Sequence, residues 1–552
     1  MPELRSQFKT YEGLSAPRSL LHGIGLTDRD LEKPRIGVIN TWSDINPGHI
    51  HLLPVAKAAC EGVREAGGMP FNFNGMNLCD CIGSGPYVLP SRDLLVNEIE
   101  MYAEANKLDG LVLIGTCDKV VPALLMAAGR LDLPTIIVTG GYMNTGKLNG
   151  QNVDFIDIGV HLTKLREGKI TQAYMDQLID AACPAPGACG MMGTANSMSL
   201  MVETIGMSLP GNATTSARSD HLLELAEQAG RQVVRLWENG ITARKIITEA
   251  SVTNAIKVCM AVGGSANTVI HIPAAATEAE LELDCSEVYA QASQEIPLLV
   301  GIRPNGPHTM RDFDEAGGLH ALLAELQDQL DLNCLCVNGK TLGENINRAE
   351  NRAPQVIHHR DDPLDTEGGL ILVKGNIAPE GAFIKKSAVP RELWRFRGKA
   401  RVFFSVMEAI EALEHDEIQE NTAVFVLMQG PKGGPGSAYQ FATRLKGSKL
   451  GNSCCTITDG RLSGAAAGAC FGYLSPEAGL RGPVLAVRDG DIVEYDIEQR
   501  FLRVELPDEE IRRRVEAFDL KIDIPKGFMG IYKQTVGSIL KGAVMSGKNV
   551  IK

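Results

Sequence analysis

The sequence predicts two domains of different class: an N-terminal α/β domain built on a parallel sheet, and a C-terminal β-barrel domain. Three observations lead to this prediction. The chain has 552 residues, too many for one ordinary hydrophobic core. Its first part alternates apolar, strand-like runs with helical patterns, which is typical of parallel sheets. Its last third consists of short β-rich runs separated by Gly, Pro and Asp, which is typical of an all-β barrel or sandwich.

The parallel sheet is predicted from three apolar runs, residues 35–41 (RIGVINT), 109–115 (DGLVLIG) and 134–139 (PTIIVT). Helical patterns follow the first two runs, from about His51 and from Pro122. Strand, helix and strand at this spacing form βαβ units. Ligand sites in such sheets gather at the carboxyl ends of the strands, so we expect functional residues in the loops there.

The domain boundary is placed in the polar, irregular segment 346–366. Residues 1–350 are expected to form the α/β domain, which includes a helical middle, and residues 365–552 the barrel domain. The runs AVFVLM and RFLRVELP are among the β-rich segments after the boundary. We therefore expect two separate domains.

Composition excludes several functions. Hydrophobic residues make up 44% and charged residues 22% of the chain, a globular balance, and the formal net charge is −13. Nucleic acid and anionic membranes are therefore not expected partners. No apolar run reaches the ~18 residues needed to span a bilayer, and the N-terminus lacks the apolar stretch of a signal peptide, so a cytoplasmic protein is expected. In that compartment the thirteen cysteines should be buried thiols and ligands rather than disulfides.

Chemically useful residues recur in short clusters. Cys117, Asp118 and Lys119 directly follow a predicted strand and offer a soft ligand, a hard ligand and a cation at one strand end. The run Cys183–Gly190 (CPAPGACG) holds two thiols in a rigid loop before a helix, whose dipole would stabilise a thiolate. The run Asn77–Gly83 places thiols beside a carboxylate. None of these clusters has the CxxC spacing of structural zinc sites.

Two further loops lie in the β-rich region. Thr458–Gly464 (TDGRLSG) flanks Ser463 with glycines, which leaves the hydroxyl accessible, and a nearby metal could ionise it into a base. Gln429–Gly436 (QGPKGGPG) could cradle an anion, although it lacks the Walker pattern and a purely structural loop is the simpler interpretation. Neither loop on its own identifies a reaction.

Together these segments resemble the dihydroxy-acid/6-phosphogluconate dehydratase family, which also contains sugar-acid dehydratases. The resemblance extends over nearly the whole chain. It rests on long stretches in the same order: LPSRDLL, DGLVLIGTCDK, CPAPGACGMMGTANSM, GMSLPGN, GGSANTVIH, GGLILVKGNIAPEGAFIK, GPKGGPG, TDGRLSG and LSPEA. It implies an α/β domain followed by a β-barrel, with the active site between them, and a homodimer or homotetramer.

The resemblance also implies two metal groups. An iron–sulfur cluster would be held by Cys117 and Cys189. A Mg²⁺ ion would be held by three positions: Asp80, Asp118 and Lys119, the lysine carbamylated and so converted from a cation to an oxygen ligand. No G-x-G-x-x-G follows a predicted strand, so no nicotinamide is expected.

The third cluster ligand is the main departure from the family. Members with a [2Fe–2S] cluster carry a cysteine where this chain has Gly48, and the run PGHIHL instead resembles members with a [4Fe–4S] cluster. Both cluster types therefore remain open. Because Cys79 directly precedes Asp80, we predict that Cys79 rather than Cys81 is the third ligand, with His49 as the candidate if neither thiol binds.

Other departures concern the Mg²⁺ shell and the base. Gln429 and Tyr439 stand where the family has glutamates, so we expect a weaker Mg²⁺ site, and Ala465 stands where many members have threonine. The family's catalytic base corresponds to Ser463.

Three functions are compatible with these residues. The first is a hydro-lyase that dehydrates a 2,3-dihydroxy carboxylic acid to a 2-keto acid, as in branched-chain amino acid biosynthesis. The second is an aldonic-acid dehydratase, which needs a more polar pocket. The third is a non-catalytic iron–sulfur paralogue. The missing glutamates favour this third function, whereas Cys117, Asp118, Lys119 and Ser463 oppose it.

Overall fold

The computed structural model describes residues 2–5, 11–83, 85–462 and 468–546, with the side chains of residues 11–14 left out. Within these residues the N-terminal part contains a parallel sheet of order β2-β1-β3-β4 and the C-terminal part a closed barrel, so the predicted fold class is confirmed. Ser463 lies outside the described residues.

The parallel sheet is built from four strands and followed by a small antiparallel hairpin. The strands are β1 (Arg35–Asn40), β2 (Met69–Asn74), β3 (Gly110–Gly115), β4 (Thr135–Thr139), and the hairpin strands β5 (Gly146–Leu148) and β6 (Gln151–Val153). β1, β3 and β4 are the three predicted runs. β2 was not predicted: it is an edge strand whose residues stay partly exposed, so it lacks a continuous apolar run.

Helices cover this sheet and form the middle of the chain. They are α1 (Tyr11–Gly23), α2 (Asp28–Leu31), α3 (Leu52–Glu65), α4 (Val88–Ala105), α5 (Val120–Leu131), α6 (Phe155–Arg166), α7 (Gln172–Ala182), α8 (Thr194–Ile205), α9 (Asp220–Glu238), α10 (Glu249–Ala261), α11 (Thr268–Glu278), α12 (Cys285–Glu295), α13 (Met310–Ala316), α14 (Gly318–Glu325) and α15 (Leu342–Ile346). α3 packs against α9 so closely that a Cβ on Gly62 would lie 1.9 Å from the carbonyl oxygen of Glu227. None of the described helices combines the length and hydropathy needed to cross a bilayer.

The barrel follows the polar segment. Its strands are β7 (Ile371–Gly375), β8 (Ala378–Ile384), β9 (Arg395–Phe403), β10 (Thr422–Val426), β11 (Cys455–Thr458), β12 (Cys470–Ser475), β13 (Ile492–Asp496) and β14 (Phe501–Val504), in the closed order β10-β11-β12-β8-β7-β14-β13-β9. Closure leaves no free sheet edge. Aromatic side chains fill the interior, and the rings of Phe471 and Tyr495 lie 4.6 Å apart.

The expectation that the second domain is all-β is wrong. Four helices, α16 (Val406–Glu414), α17 (Tyr439–Gly447), α18 (Asp508–Glu516) and α19 (Phe528–Thr535), belong to it. β9, β10 and β11 are parallel neighbours, and parallel neighbours need a crossover connection, which α16 and α17 provide.

The two parts pack face to face. The large core of the N-terminal part includes barrel residues such as Leu462 and Tyr473, and the Tyr289 ring meets the Phe383 ring edge-on at 5.6 Å. The carboxyl ends of the N-terminal sheet and of β9, β10 and β11 line one cleft between the two parts. This arrangement places the loops with the chemically useful residues opposite one another.

Candidate functional site

The cleft between the two parts has a volume of about 510 Å³. Loops after β2 and β3 contribute Cys79, Asp80, Cys81, Cys117 and Asp118 to its lining. The loop with Cys117 and Asp118 was predicted at the carboxyl end of a parallel strand, and the structure brings it together there with the loop after β2. Soft thiols and hard carboxylates therefore share one site.

Loops of the barrel form the opposite wall. Three of them follow the parallel strands β9, β10 and β11 and contribute Phe404, Gln429, Ser437 and Arg461, and Tyr439 lines the cleft from the start of α17. The glycine-rich loop Gln429–Gly436 contributes Gln429, Gly434 and Gly436 to this wall. The backbone N–H groups of Lys432 and Gly433, in this loop, donate to the buried Glu477 carboxylate.

Asp80, Asp118 and Lys119 form one charged group. Lys119 Nζ donates to Asp80 Oδ2 at 2.8 Å and lies 3.9 Å from Asp118 Oδ2, and only 1% of the lysine side chain is exposed. Burial, followed by the neighbouring Asp80 carboxylate, raises the pKa of Asp118. Two carboxylates thus share one cation, and the second Asp80 oxygen is buried without a hydrogen-bond partner among the described residues.

Asp118 is held by the start of α8. Its Oδ1 accepts the N–H of Ala195 at 3.1 Å, and Thr194, the first residue of the helix, also hydrogen-bonds the carboxylate. We expected the positive end of this helix to stabilise the Cys189 thiolate. It instead serves Asp118, because the helix begins only at Thr194 and the loop between carries Cys189 to the cleft separately.

The thiols of Cys79, Cys117 and Cys189 lie close enough for the charge of one to change the pKa of another. Burial, then the charges of Asp118, Cys117 and Cys79, raises the pKa of Cys189 well above that of a free thiol. A hydrogen bond from Cys81 holds the pKa of Cys79 below that of a free thiol. Cys79, Cys117 and Cys189 are free thiols, so they are available as ligands.

The loop after β1 packs directly on Cys117. A Cβ at Gly48 would lie 2.4 Å from Cys117 Sγ, so this backbone approaches the thiol more closely than a side chain there would allow. Asn46 Oδ1 lies 3.3 Å from the same sulfur. Gly48 therefore stands where the loop backbone passes directly against the Cys117 thiol.

Comparison with known proteins places the chain in a family. The sequence profile described as dihydroxy-acid/6-phosphogluconate dehydratase N-terminal matches residues 33–345, and its C-terminal counterpart matches residues 355–543. The chain belongs to this dehydratase family. The family resemblance predicted from the sequence is thereby confirmed.

Relatives of the family cover almost the whole chain. A dihydroxy-acid dehydratase of Methanobrevibacter smithii is 42% identical over 96% of this chain and 97% of its own length. Those of Methanococcoides burtonii and Caldicellulosiruptor saccharolyticus are 40% and 41% identical over the same shares. The likeness therefore includes both parts of the fold and the cleft between them.

The donor set fits the metal groups that the family implies. Thiols at Cys79, Cys117 and Cys189 suit iron, and the unpartnered Asp80 oxygen beside Asp118 suits a hard cation. Among the described residues no three His, Cys, Asp or Glu side chains stand preassembled around a single point.

Proposed function

We propose that this protein is a dihydroxy-acid dehydratase, a hydro-lyase that converts a 2,3-dihydroxy carboxylic acid into a 2-keto acid and water. One observation carries the proposal: thiols and carboxylates face one cleft in a chain that aligns over 96% of its length with proteins named dihydroxy-acid dehydratase. The reaction removes the C2 proton and the 3-hydroxyl, and the enol that remains tautomerises to the 2-keto acid. No electrons are gained or lost.

The cofactors are part of the proposal. Cys117, Cys189 and Cys79 would hold an iron–sulfur cluster, either [2Fe–2S] or [4Fe–4S], and Asp80, Asp118 and Lys119 would hold Mg²⁺. When bound, these groups supply Lewis acidity toward the 3-hydroxyl and toward the carboxylate and 2-hydroxyl of the substrate.

Lys119 has a particular part in the Mg²⁺ site. As an ammonium, it occupies the position between Asp80 and Asp118 that a cation would need. Carbamylation would replace this positive charge with a negative one and add oxygen donors. Its place beside both carboxylates means that a carbamylated Lys119 would join Asp80 and Asp118 as a ligand of the ion.

The proton at C2 needs a base. Ser463 remains our proposal for this role, and its neighbour Leu462 is buried at the end of the described segment that carries Arg461. A metal-bound or metal-adjacent hydroxyl loses its proton far more readily than a free one. The chain would therefore hold the substrate between the residues after β3 and the loop after β11.

The shape of the cleft favours an alkyl substrate over a sugar acid. Four apolar residues line its outer part: Phe155, Phe404, Val406 and Met407. An adjoining pocket of about 270 Å³ between α6 and α17 is also largely apolar, with Ile156, Ile158 and Leu162 in its lining. Branched alkyl groups would be desolvated against these residues. The cleft also presents polar side chains such as Ser405, Ser437 and Gln440, so the preference for the branched acid rests on this alkyl contact.

The wider assignment follows from the same features. We propose a cytoplasmic homodimer or homotetramer acting in branched-chain amino acid biosynthesis, with a small hydroxy acid as its partner and neither nucleic acid nor membrane. The four cysteines that line the cleft, Cys79, Cys81, Cys117 and Cys189, are free thiols, which supports a reducing compartment.

The direct test is an anaerobic substrate panel. The protein, purified without oxygen and supplied with Mg²⁺, is incubated with a branched 2,3-dihydroxy acid and with straight-chain aldonic acids, and 2-keto acid is measured. Faster turnover of the branched acid is expected. Faster turnover of an aldonic acid would favour the sugar-acid function, and no keto acid from any substrate would favour the non-catalytic paralogue.

A further inference from the structure

Arg461 is a buried arginine with unused hydrogen-bond donors. It follows β11 and is 4% exposed. Its Nε has no hydrogen-bond partner among the described residues, and its Nη2 only reaches Pro435 O at 3.5 Å. Its Nη1 lies 3.8 Å from Asp80 Oδ2, beyond hydrogen-bond distance. A buried guanidinium with five donors and so few acceptors is costly unless a ligand completes it.

The charge of the cleft points to the kind of ligand. Of the described residues that line it, Arg461 alone is a lysine or arginine, and the other charged residues there are Asp80 and Asp118. The planar guanidinium fork matches a carboxylate in two parallel hydrogen bonds. Building on the function proposed above, we propose that Arg461, which lies next to the proposed Mg²⁺ ligand Asp80, binds the substrate's carboxylate from the barrel side of the cleft and shares it with the ion.

Tyr473 fixes the position of Arg461 from both sides. Its hydroxyl accepts the N–H of Leu462 at 3.2 Å, and its own N–H donates to Gly460 O at 2.9 Å. Its φ of +60° lies in the left-handed region, which is uncommon for a bulky residue and persists only where the surroundings impose it. Tyr473 therefore acts as a positioning residue for the segment that carries Arg461.

The same hydroxyl connects this segment to the Mg²⁺ ligands. The Tyr473 hydroxyl lies 2.8 Å from Asn267 Oδ1 and 2.9 Å from Leu462 O and can donate its one proton to either, and Asn267 Nδ2 donates to Thr194 Oγ1 at 2.8 Å. Thr194 hydrogen-bonds Asp118. This buried chain of hydrogen bonds connects the segment that carries Arg461 with Asp118, a proposed Mg²⁺ ligand.

Binding of a non-reacting probe tests the proposal without relying on turnover. A branched 2-hydroxy acid lacks the 3-hydroxyl and cannot lose water, and its primary amide has the same shape without the charge. Calorimetric titration of both into the Mg²⁺-loaded protein should show that Arg461→Gln weakens acid binding by about 30-fold but amide binding by less than about 3-fold. Arg461→Lys, which keeps the charge but not the fork, should be intermediate.

Equal weakening of acid and amide, unchanged acid binding, or no acid binding by the wild type would overturn the assignment. A wild type that binds the acid through Arg461 but makes no keto acid would refute only the dehydratase function. Circular dichroism melting of each variant identifies misfolding. If Arg461→Gln does not fold, the comparison of acid and amide binding is made with Arg461→Lys instead.

Tyr473→Phe tests the positioning role. It should weaken acid binding several-fold and leave amide binding unchanged. Tyr532→Phe is the matched control, because Tyr532 is equally buried and its hydroxyl has no hydrogen-bond partner among the described residues. Acid binding by Tyr473→Phe equal to that of Tyr532→Phe would refute the positioning role.

Discussion

His49 Nε2 accepts the backbone N–H of Cys117 at 3.1 Å. Its Nδ1 lies 2.5 Å from the carbonyl oxygen of Thr41, so this nitrogen carries the proton. Burial lowers the pKa of His49 to about 3, which keeps the ring neutral. Both nitrogens are therefore occupied in positioning the Cys117 loop, and His49 is a poor candidate for the third cluster ligand.

The first prediction concerns that ligand. With His49 engaged, Cys79 is the expected third ligand beside Cys117 and Cys189. Anaerobically purified Cys79→Ser should show an altered cluster by electron paramagnetic resonance and lower iron and sulfide content, whereas Cys81→Ser should resemble the wild type.

Cys183→Ser is a suitable control, because Cys183 is an exposed thiol in the same loop as Cys189. A wild type without iron and sulfide, or a Cys117→Ser variant with full cluster content, would refute the cluster altogether. An altered cluster in Cys81→Ser but not in Cys79→Ser would reverse the assignment.

The second prediction concerns Mg²⁺ affinity. Tyr439 lines the cleft, and burial together with the charges of Cys81 and Asp80 raises the pKa of its hydroxyl. It therefore supplies no carboxylate to the ion. Activity should depend visibly on added Mg²⁺, and Tyr439→Glu should lower the Mg²⁺ concentration needed for half-maximal activity by about tenfold, since a carboxylate is a better ligand for this hard cation than a neutral phenol.

Tyr439→Gln is the control, because glutamine has the same length as the glutamate of Tyr439→Glu but carries no charge. Full wild-type activity after exhaustive chelation would contradict the Mg²⁺ site, and equal Mg²⁺ dependence of both variants would contradict the role of charge at position 439.

The third prediction concerns stability at low pH. His271 is buried, and burial, followed by the positive charges of Lys119 and Arg92, lowers its pKa well below the usual value. Arg92 Nη1 lies 3.3 Å from His271 Nδ1 and donates to it. The unfolded chain takes up a proton below about pH 6.5 and the folded chain does not, so folding loses up to ~1.4 kcal/mol per pH unit as the pH falls from there.

Apparent melting temperatures at pH 7.5 and pH 5.0 check this prediction. His271→Gln removes this titration, so its melting temperature should fall less between the two pH values than that of the wild type. His415→Gln, a change at an exposed histidine, should behave like the wild type. An equal fall in His271→Gln and the wild type would show that other groups determine the acid sensitivity.

Much of the fold and part of the site followed from the sequence. Apolar runs predicted β1, β3 and β4, because central parallel strands are buried on both faces. β2 and the barrel helices α16 and α17 escaped prediction, because an edge strand lacks an apolar run and short crossover helices are obscured by neighbouring β-rich segments. The boundary within 346–366 stays a prediction.

The site, too, could be predicted from the sequence only in part. Asp118 and Lys119 were found because they directly follow a strand, in one short motif. The role of Asn267 and Tyr473 could not be predicted, since they are far apart in sequence and their contact at 2.8 Å exists only in the folded chain. Gly48 was recognised in the sequence as a departure from family members that have a cysteine there, but its packing on Cys117 is visible only in the folded chain.

The central claim is that dehydration begins with removal of the C2 proton by Ser463. The direct measurement is the turnover of Ser463→Ala beside the wild type, with release of label from C2-deuterated substrate and with cluster, Mg²⁺ and melting temperature shown to be unchanged. We predict a loss of turnover by several orders of magnitude and no label release from the variant. A variant that keeps more than about a tenth of wild-type turnover, a barrier change under ~1.4 kcal/mol, would contradict the account and show that another group takes the proton.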